Sequence, residues 1–429
     1  MPEAGAARRI LLVVAGGIAA YKAPELVRAL IAGGFTVQVV LTPAARAFVS
    51  ELSLATVSTR PVRISLLDPA EEGRVGHIEL ADWPDLVIVA PGTADLIARA
   101  AAGLADDLAA TVLLATRAPV LWAPAMNSNM WRHPATRQNL ATLAARGARF
   151  IGPDRGELAC GWIGEGRMID PPAIVEAARG ALAKLSEETS AWTGRRVLVS
   201  AGPTRSYIDP VRFFANASTG VMGFAIAAAA QQLGAEVTLV AGPVELATPA
   251  GVRRIDVETA PQMHAALQAA IAAAPIDLVA MVAAVSDLEV DASTSKLDKA
   301  ALLPAMASLR WRHGVDILAS LTAAAADGPT RPRFLGFAAQ TVDEGPDVEA
   351  ELLRLGHAKL AAKGVDALFV NRVGVPGLGF ASPTNAGSLL VRETRDEVEV
   401  VPSGPPVTKQ QLARWLLVQL ATRLWPEAQ

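Results

Sequence analysis

The chain has 429 residues, 39 Lys+Arg against 42 Asp+Glu, and a single cysteine, Cys160; at roughly 150 residues per domain, that length predicts two to three domains. A net charge of −3 without a long basic block removes the electrostatic footprint of a nucleic-acid binder, and one cysteine excludes an intrachain disulfide or a zinc site built on several cysteines. Apolar residues make up 52% and charged residues 19%, a balance that fills large cores and is not that of a disordered chain.

The N-terminus imitates a signal peptide, because Arg8-Arg9 precedes the apolar ILLVVAGGIAA. Gly16-Gly17 breaks that run and leads into a helix-like stretch with Lys22, Glu25 and Arg28. No segment reaches the about 18 uninterrupted apolar residues of a membrane span, so a soluble, cytoplasmic protein without a membrane partner is expected. Arg9 to Ala15 reads as a strand buried on both faces of a parallel sheet. A helix is predicted from Pro24 to Ile31, ended by Gly33-Gly34, and a second strand from Thr36 to Leu41, closed by Thr42-Pro43. This β-turn-α-β order opens a doubly wound α/β sheet.

Further strands are predicted at Leu86–Ala90 and Val120–Ala123, and a helix from Pro171-Pro172 to Leu185, followed by a polar stretch, Ser186 to Thr193. The opening pattern then recurs: Arg195-Arg196 leads into VLVSAG, a long polar loop, the Ala-rich helix Gly223 to Leu233 and the strand VTLVAG. Strands follow at Leu278–Val285, Phe334–Ala338 and Ala367–Val370, with an amphipathic closing helix from Lys409 to Leu424. Two doubly wound Rossmann-like domains with mainly parallel sheets are therefore expected, with a boundary near residue 190.

In the first half, a Gly-rich turn between strand and helix aims backbone N–H groups and the positive helix end at a phosphate. AGGIAAYK lacks the G-x-G-x-x-G dinucleotide fingerprint, and Thr42 stands where a ribose-binding acid would end the second strand. A mononucleotide fits better than NAD; a plain tight turn explains the glycines equally. APGTAD and PAMNSNMW follow predicted strands, at the edge where open α/β sheets bind ligands. There Asn127 and Asn129 offer uncharged amide donors suited to a carboxylate. His77, in GHIEL, reads either as a structural histidine or as an acid/base. Cys160 reads either as a small apolar residue or as a reactive thiol, since it sits among Gly161, Gly164 and Gly166 in what reads as a flexible flap.

Together GGIAAYK, Thr42, His77 in GHIEL, PAMN and ACGWIGEGRM resemble the flavin-dependent cysteine decarboxylases, in particular phosphopantothenoylcysteine decarboxylase, from about Arg9 to Asp170. The resemblance implies FMN held by Gly16, Gly17, Ile18, Thr42 and the loop of Pro91, Thr93 and Ala94. It implies His77 as acid/base, Asn127 as the carboxylate holder and Cys160 as the terminal proton donor, in a site formed between subunits of a trimer. Its chemistry is independently reasonable: losing CO2 from a saturated amino acid requires an electron sink, and thiol oxidation by FMN supplies one. Asp95 departs from the family's usual Asn.

In the second half, SAGPTRSYIDPVRFFANASTGVMG supplies Ser200, Gly202, Thr204, Arg205, Asn216, Ser218 and Gly220, a set suited to a phosphorylated ligand or a nucleotide triphosphate. Asp287 ends a predicted strand, Lys296 and Lys299 lie on a polar stretch, and Lys359 and Lys363 share a helix face, either solvated or aimed at a phosphate chain. With AAVSD, KLDK, VDIL and GFAA, these segments resemble phosphopantothenate–cysteine ligase from about Gly194 to Val401. In bacteria the two activities are commonly fused in this order.

The second resemblance implies a CTP-dependent ligation of cysteine to 4′-phosphopantothenate through an acyl-cytidylate, with Mg2+ screening the phosphates. Lys296 would stabilise triphosphate charge and Asn216 would orient the intermediate. Met281, Val282, Ala283, Asp287, Val315, Asp316, Ile317, Leu318, Phe337, Lys359 and Lys363 would hold the nucleotide. The family also implies homo-oligomers: trimers through the flavin half, dimers through the ligase half, hence a dodecamer. Departures from the family pattern are Val221, Asp298, Gln340, Arg372 and Pro383; they leave open an alternative in which the second half is a structural, ligase-like domain beside an active decarboxylase.

Overall fold

The computed structural model describes residues 7–66, 76–157, 161–298, 302–326, 331–345, 347–375, 379, 382–394 and 397–426. The chain divides into two compact units, Met1–Leu185 and Ser186–Gln429.

In the first unit the run RILLVV forms β1 (Arg9–Val14), and TVQVVL forms β2 (Thr36–Leu41). They join β3 (Leu86–Gly92), β4 (Val120–Pro124) and β5 (Arg149–Phe150) in an all-parallel sheet of order β2-β1-β3-β4-β5. Period-two alternation distributes β1 between two layers. Ile10, Leu12 and Val14 pack with Leu26, Val27 and Leu30 of the helix Ala23–Ala32, whereas Leu11, Val13 and Ala15 pack with Leu96, Ile97 and Val112 on the other face. The helix after β1 is preceded by a 3-10 turn, Ile18–Lys22, so the chain winds tightly before α-helical spacing begins.

Within the stretch read as a flexible flap, β7 (Ile163–Arg167) pairs antiparallel with β6 (Asp154–Glu157). Its glycines allow close approach. A Cβ at Gly164 would lie 2.3 Å from Ser128 Oγ, and one at Gly166 would lie 2.0 Å from the Met126 carbonyl oxygen. Met126 N donates to Gly166 O (3.0 Å) and Ser128 Oγ to Glu165 O (2.7 Å), so β7 lies flat on the loop after β4.

The helix predicted to stop at Leu185 spans Pro171–Ser190 and so takes in the first part of the polar stretch. Glu188 pairs with Arg414 at 2.6 Å, and the fully buried Trp192 donates its indole N–H to Leu417 O at 3.2 Å. Trp192 is thus a core residue of the second unit, packed with Val197, Leu233 and Leu417.

That unit contains β8 (Arg196–Ala201), β9 (Arg205–Tyr207), β10 (Phe213–Ala215), β11 (Glu236–Ala241), β12 (Arg253–Asp256), β13 (Leu278–Met281), β14 (Leu288–Val290), β15 (Trp311–His313), β16 (Arg333–Gln340), β17 (Ala367–Arg372), β18 (Thr384–Asn385), β19 (Ser388–Arg392) and β20 (Val398–Pro402). The main sheet runs β12-β11-β8-β13-β16-β17-β19-β20. Its first six strands are parallel in the order 3-2-1-4-5-6, the Rossmann arrangement, and two antiparallel strands extend it. The strand predicted to reach Val285 stops at Met281, because Ser200 Oγ accepts the N–H groups of Val282 and Ala283 (3.1 and 3.2 Å) and turns the chain out of the ladder. The long polar loop contains the β9–β10 ribbon. The closing helix spans Lys409–Leu424 as its periodicity predicts, under a Thr408/Gln411 capping box. Among the described residues, no helix is long and apolar enough to cross a membrane.

The helix Val221–Gln232 approaches β8 at Gly223, where a Cβ would sit 2.5 Å from Ala201 Cβ and 3.0 Å from Ser200 O. Gly223→Val is expected to destabilise the second unit by about 1–3 kcal/mol, seen as an earlier urea transition. An unchanged transition would show that the helix shifts at no cost.

Candidate functional site

Parallel strands that are covered on both faces expose polar backbone only at their ends, and doubly wound sheets bind ligands where the strand order reverses, outside the carboxyl ends. In the first unit that point lies between β1 and β3. Gly16 and Gly17 follow β1, Thr42 follows β2, and Pro91, Thr93 and Ala94 end β3 and start the helix Ala94–Ala102. The structure brings these residues together. A Cβ on Gly17 would stand 3.3 Å from Thr93 Cγ2, one on Gly16 would stand 2.5 Å from Ala44 Cβ, and Thr42 N donates to Val14 O at 3.0 Å. Ile18 is largely exposed beside them.

Thr42 carries the most informative atom. Its side chain is 5% exposed, yet Oγ1 has no hydrogen-bond partner. A buried hydroxyl left unsatisfied costs stability, so the position fits a ligand atom that completes it. Thr93 Oγ1 accepts from Leu96 N (3.3 Å) as the cap of its helix, whose N-terminal end faces this edge. The cradle fits a flavin mononucleotide: glycines for close approach, a helix start for negative charge and an unsatisfied hydroxyl.

Asn127 follows β4 and caps the helix Ser128–Arg132, its Oδ1 accepting from Asn129 N at 2.8 Å. Part of its amide is therefore used locally. His77 is half-buried in the first turn of the helix Gly76–Asp82. Cys160 lies outside the described residues.

In the second unit a cavity of about 570 Å³ opens at the carboxyl ends of β8, β13, β16 and β17. Its wall includes Asn216, Met281, Val282, Ala283, Asp287, Val315, Asp316, Ile317, Leu318, Phe337, Lys359 and Lys363. The Met281–Asp287 loop is pinned from beneath: besides the Ser200 bonds, Thr204 Oγ1 accepts from Ser286 N (2.8 Å) and Ser206 Oγ donates to Leu288 O (2.5 Å). Asn216 Nδ2 donates to Val285 O at 2.9 Å, which orients its amide over the loop. Gly220, with φ +76°, starts the helix Val221–Gln232 at the cavity.

The two lysines of the helix Val348–Lys363 differ. Lys363 is paired with Asp316, which also caps the helix Ile317–Ala324 by accepting from Ala319 N (3.1 Å). Burial raises the Asp316 pKa, but Lys363 and the Ala319 N–H outweigh it and hold the carboxylate below its usual range. Lys359 makes no ion pair among the described residues. Lys296 is exposed on the segment after β14 and is not on the cavity wall.

Three further polar residues belong to the wall. Asn371 and Asn385 are buried and joined (Nδ2 to Oδ1, 3.3 Å), and the nearly buried Lys409, whose pKa is lowered by desolvation, lies with them. A sequence signal for Lys409 exists: it sits three, four and seven residues before Leu412, Ala413 and Leu416, on the apolar face of the closing helix. Among the departures from the family pattern, Val221 lines the cavity, Gln340 donates to its neighbour Ala339 O, Arg372 donates to Val342 O, and Asp298 is exposed.

A flavin-type cradle at one sheet and a nucleotide-sized cavity at a Rossmann sheet define a two-domain enzyme class, and family comparisons agree. Residues 2–183 match the Flavoprotein family, and residues 192–424 match the DNA/pantothenate metabolism flavoprotein C-terminal domain. The chain is 46% identical over 388 residues to the coenzyme A biosynthesis bifunctional protein CoaBC of Vibrio cholerae, covering 90% of this chain and 93% of that one. It is 45% identical over 419 residues to CoaBC of Escherichia coli strain K12, covering 97% and 98%. A crystal structure of the C-terminal domain of CoaBC aligns at 30% identity over 56% of this chain and 100% of that domain, with a TM-score of 0.43. The chain belongs to the CoaBC family of bifunctional coenzyme A biosynthesis enzymes, a flavoprotein decarboxylase joined to a ligase.

Ser200→Ala is expected to leave the sheet intact but free the Val282 and Ala283 amides, at a cost of about 1–3 kcal/mol. Faster hydrogen exchange of those two amides would be the signature. Unaltered protection would mean that Ser200 does not fix the loop.

Proposed function

We propose that residues 1–190 form an FMN-dependent decarboxylase acting on 4′-phosphopantothenoylcysteine, and residues 191–429 a CTP-dependent ligase joining cysteine to 4′-phosphopantothenate. The product of the second half is the substrate of the first, and 4′-phosphopantetheine is the final product. The observation that carries the reading is the cavity wall that gathers Met281–Ala283, Asp287, Val315–Leu318, Phe337, Lys359 and Lys363, together with the unsatisfied Thr42 hydroxyl in the flavin half.

In the flavin half, Gly16, Gly17 and Ile18 would hold the phosphate end and Thr42, Pro91, Thr93 and Ala94 the remainder of FMN. Bound FMN would supply the oxidising and reducing equivalents that let a saturated cysteine carboxylate lose CO2. Asn127 would hold the substrate carboxylate, with its Oδ1 already committed to Asn129 N and its amide N–H groups directed to the anion. His77 would move the proton at the thiol, and Cys160 would return a proton to the product.

In the ligase half, the substrate carboxylate attacks the α-phosphorus of CTP and releases pyrophosphate; the cysteine amine then displaces CMP. The start of the helix at Gly220 supports phosphate binding. Lys359 would add positive charge along the triphosphate, and Lys363 would act through Asp316 to hold the Val315–Leu318 turn in shape. Lys296 would stabilise charge on the triphosphate as the cytidylyl group is transferred, and Asn216 would orient the acyl-cytidylate. Mg2+ would travel with the triphosphate, as hydrated Mg2+ ordinarily does. We infer a cytoplasmic homo-oligomer, with trimers through the flavin half and dimers through the ligase half. Exposed Ile18, Trp162 and Ile163 in the first unit and Phe213, Phe214 and Trp311 in the second support apolar subunit contacts.

Purified protein supplied with 4′-phosphopantothenate, cysteine and either CTP or ATP should release pyrophosphate with CTP and form 4′-phosphopantetheine. No pyrophosphate alongside turnover of supplied 4′-phosphopantothenoylcysteine would sink the ligase assignment. Lys296→Ala should slow acyl-cytidylate formation by about 100-fold or more and spare decarboxylation; loss of both would argue against separate sites. Thr42→Val should weaken FMN retention about 2- to 10-fold, the worth of one ordinary hydrogen bond, without lowering the melting temperature of the flavin-free protein. Unchanged FMN titration would remove Thr42 from the cradle.

A further inference from the structure

The segment 291–298 carries Lys296 and has no regular secondary structure. Its main chain is nevertheless fastened to the β9–β10 ribbon. Ser293 N donates to Ile208 O at 2.8 Å, Leu297 N donates to Asp209 Oδ2 at 3.2 Å, and Arg212 Nη1 donates to Leu297 O at 3.1 Å. Both backbone polar groups of Leu297 are therefore held by one carboxylate–guanidinium pair.

Asp209 is built for that task. Its side chain is fully buried, Oδ1 accepts from Val211 N (2.7 Å) and Arg212 N (2.8 Å), and Oδ2 accepts from Arg212 Nη1 (2.6 Å) besides Leu297 N. Burial raises its pKa, but the three backbone N–H groups and the guanidinium outweigh it and hold the carboxyl at about 2. Three of these bonds stay within the turn of the ribbon, and the fourth reaches Leu297, 88 residues away in sequence. Charge-assisted bonds of this kind are about twice as strong as neutral ones. They act on a segment whose other residues are mostly exposed.

We propose that Asp209 is a positioning residue for the ligase half-reaction, clamping Leu297 together with Arg212 and so fixing the main chain from which the Lys296 side chain extends. The proposal rests on the reading of Lys296 as the residue that stabilises triphosphate charge during cytidylyl transfer. A long lysine side chain reaches its target productively only if its base is fixed, and a misplacement of about 1 Å costs roughly 100-fold in rate.

Asp209→Asn keeps the size of the side chain and replaces one acceptor oxygen with a donor. In the full-length chain it is expected to lower kcat for CTP-dependent pyrophosphate release by about 10- to 100-fold, to leave KM for CTP within about threefold, and to leave decarboxylation unchanged. Trypsin cleavage after Lys296 should accelerate about tenfold. Leu297→Pro deletes the single N–H that Asp209 reaches for while leaving the ribbon's own bonds; it should reproduce the kcat loss without lowering the melting temperature. Wild-type kcat in both variants, or a kcat loss with unchanged trypsin cleavage in Asp209→Asn, would overturn the clamp. Wild-type ligation by Lys296→Ala would instead overturn the reading of Lys296. In that case faster cleavage of Asp209→Asn would report a clamp without catalytic consequence, so the two failures are distinguishable.

Discussion

Burial of the parallel strands on both faces governs the rest of this protein. Beyond the exposed Arg9 and Arg196 at their amino ends, β1, β3 and β8 are buried along their whole length and packed on both faces, so no side chain in their interior reaches solvent. Chemistry is thereby confined to the few residues after each strand. In the first unit these are Gly16, Gly17, Thr42, Thr93 and Asn127. In the second, the Ser200 hydroxyl at the end of β8 sets the shape of the neighbouring strand end at Val282 and Ala283.

The same constraint explains why so much was legible. Apolar runs ended by Gly-Gly, Thr-Pro or Pro-Ala-Met-Asn mark strands and strand ends together, and those residues lie at one edge of the sheet. The cavity in the second unit assembles the segments that sequence motifs singled out, because VDIL, GFAA and the Lys359/Lys363 pair all sit at the carboxyl edge or on the helix beside it.

Other features depend on tertiary contacts that no local pattern encodes. The β9–β10 ribbon has three residues per strand, too few to set an alternation above the surrounding polar loop. The helix runs past Leu185 into the polar stretch 186–193, where Glu188 pairs with the distant Arg414 and the Trp192 indole donates to Leu417 O. Gly164 and Gly166 looked like sources of flexibility, yet they permit tight docking. Lys363 looked equivalent to Lys359 until Asp316, 47 residues earlier, proved to claim its charge.

The burial of Trp192 bears on how the two activities can be separated. The indole fills the core beneath the closing helix and also contacts Trp425 edge-on at 5.5 Å. A cut that looks natural, after the polar stretch and just before the first strand of the second sheet, would leave the ligase half with a hollow where the indole belongs and an orphaned carbonyl at Leu417. The compact second unit therefore begins within the polar stretch rather than after it. An autonomous second half has to inherit the Trp192 turn that lies between the preceding helix and β8.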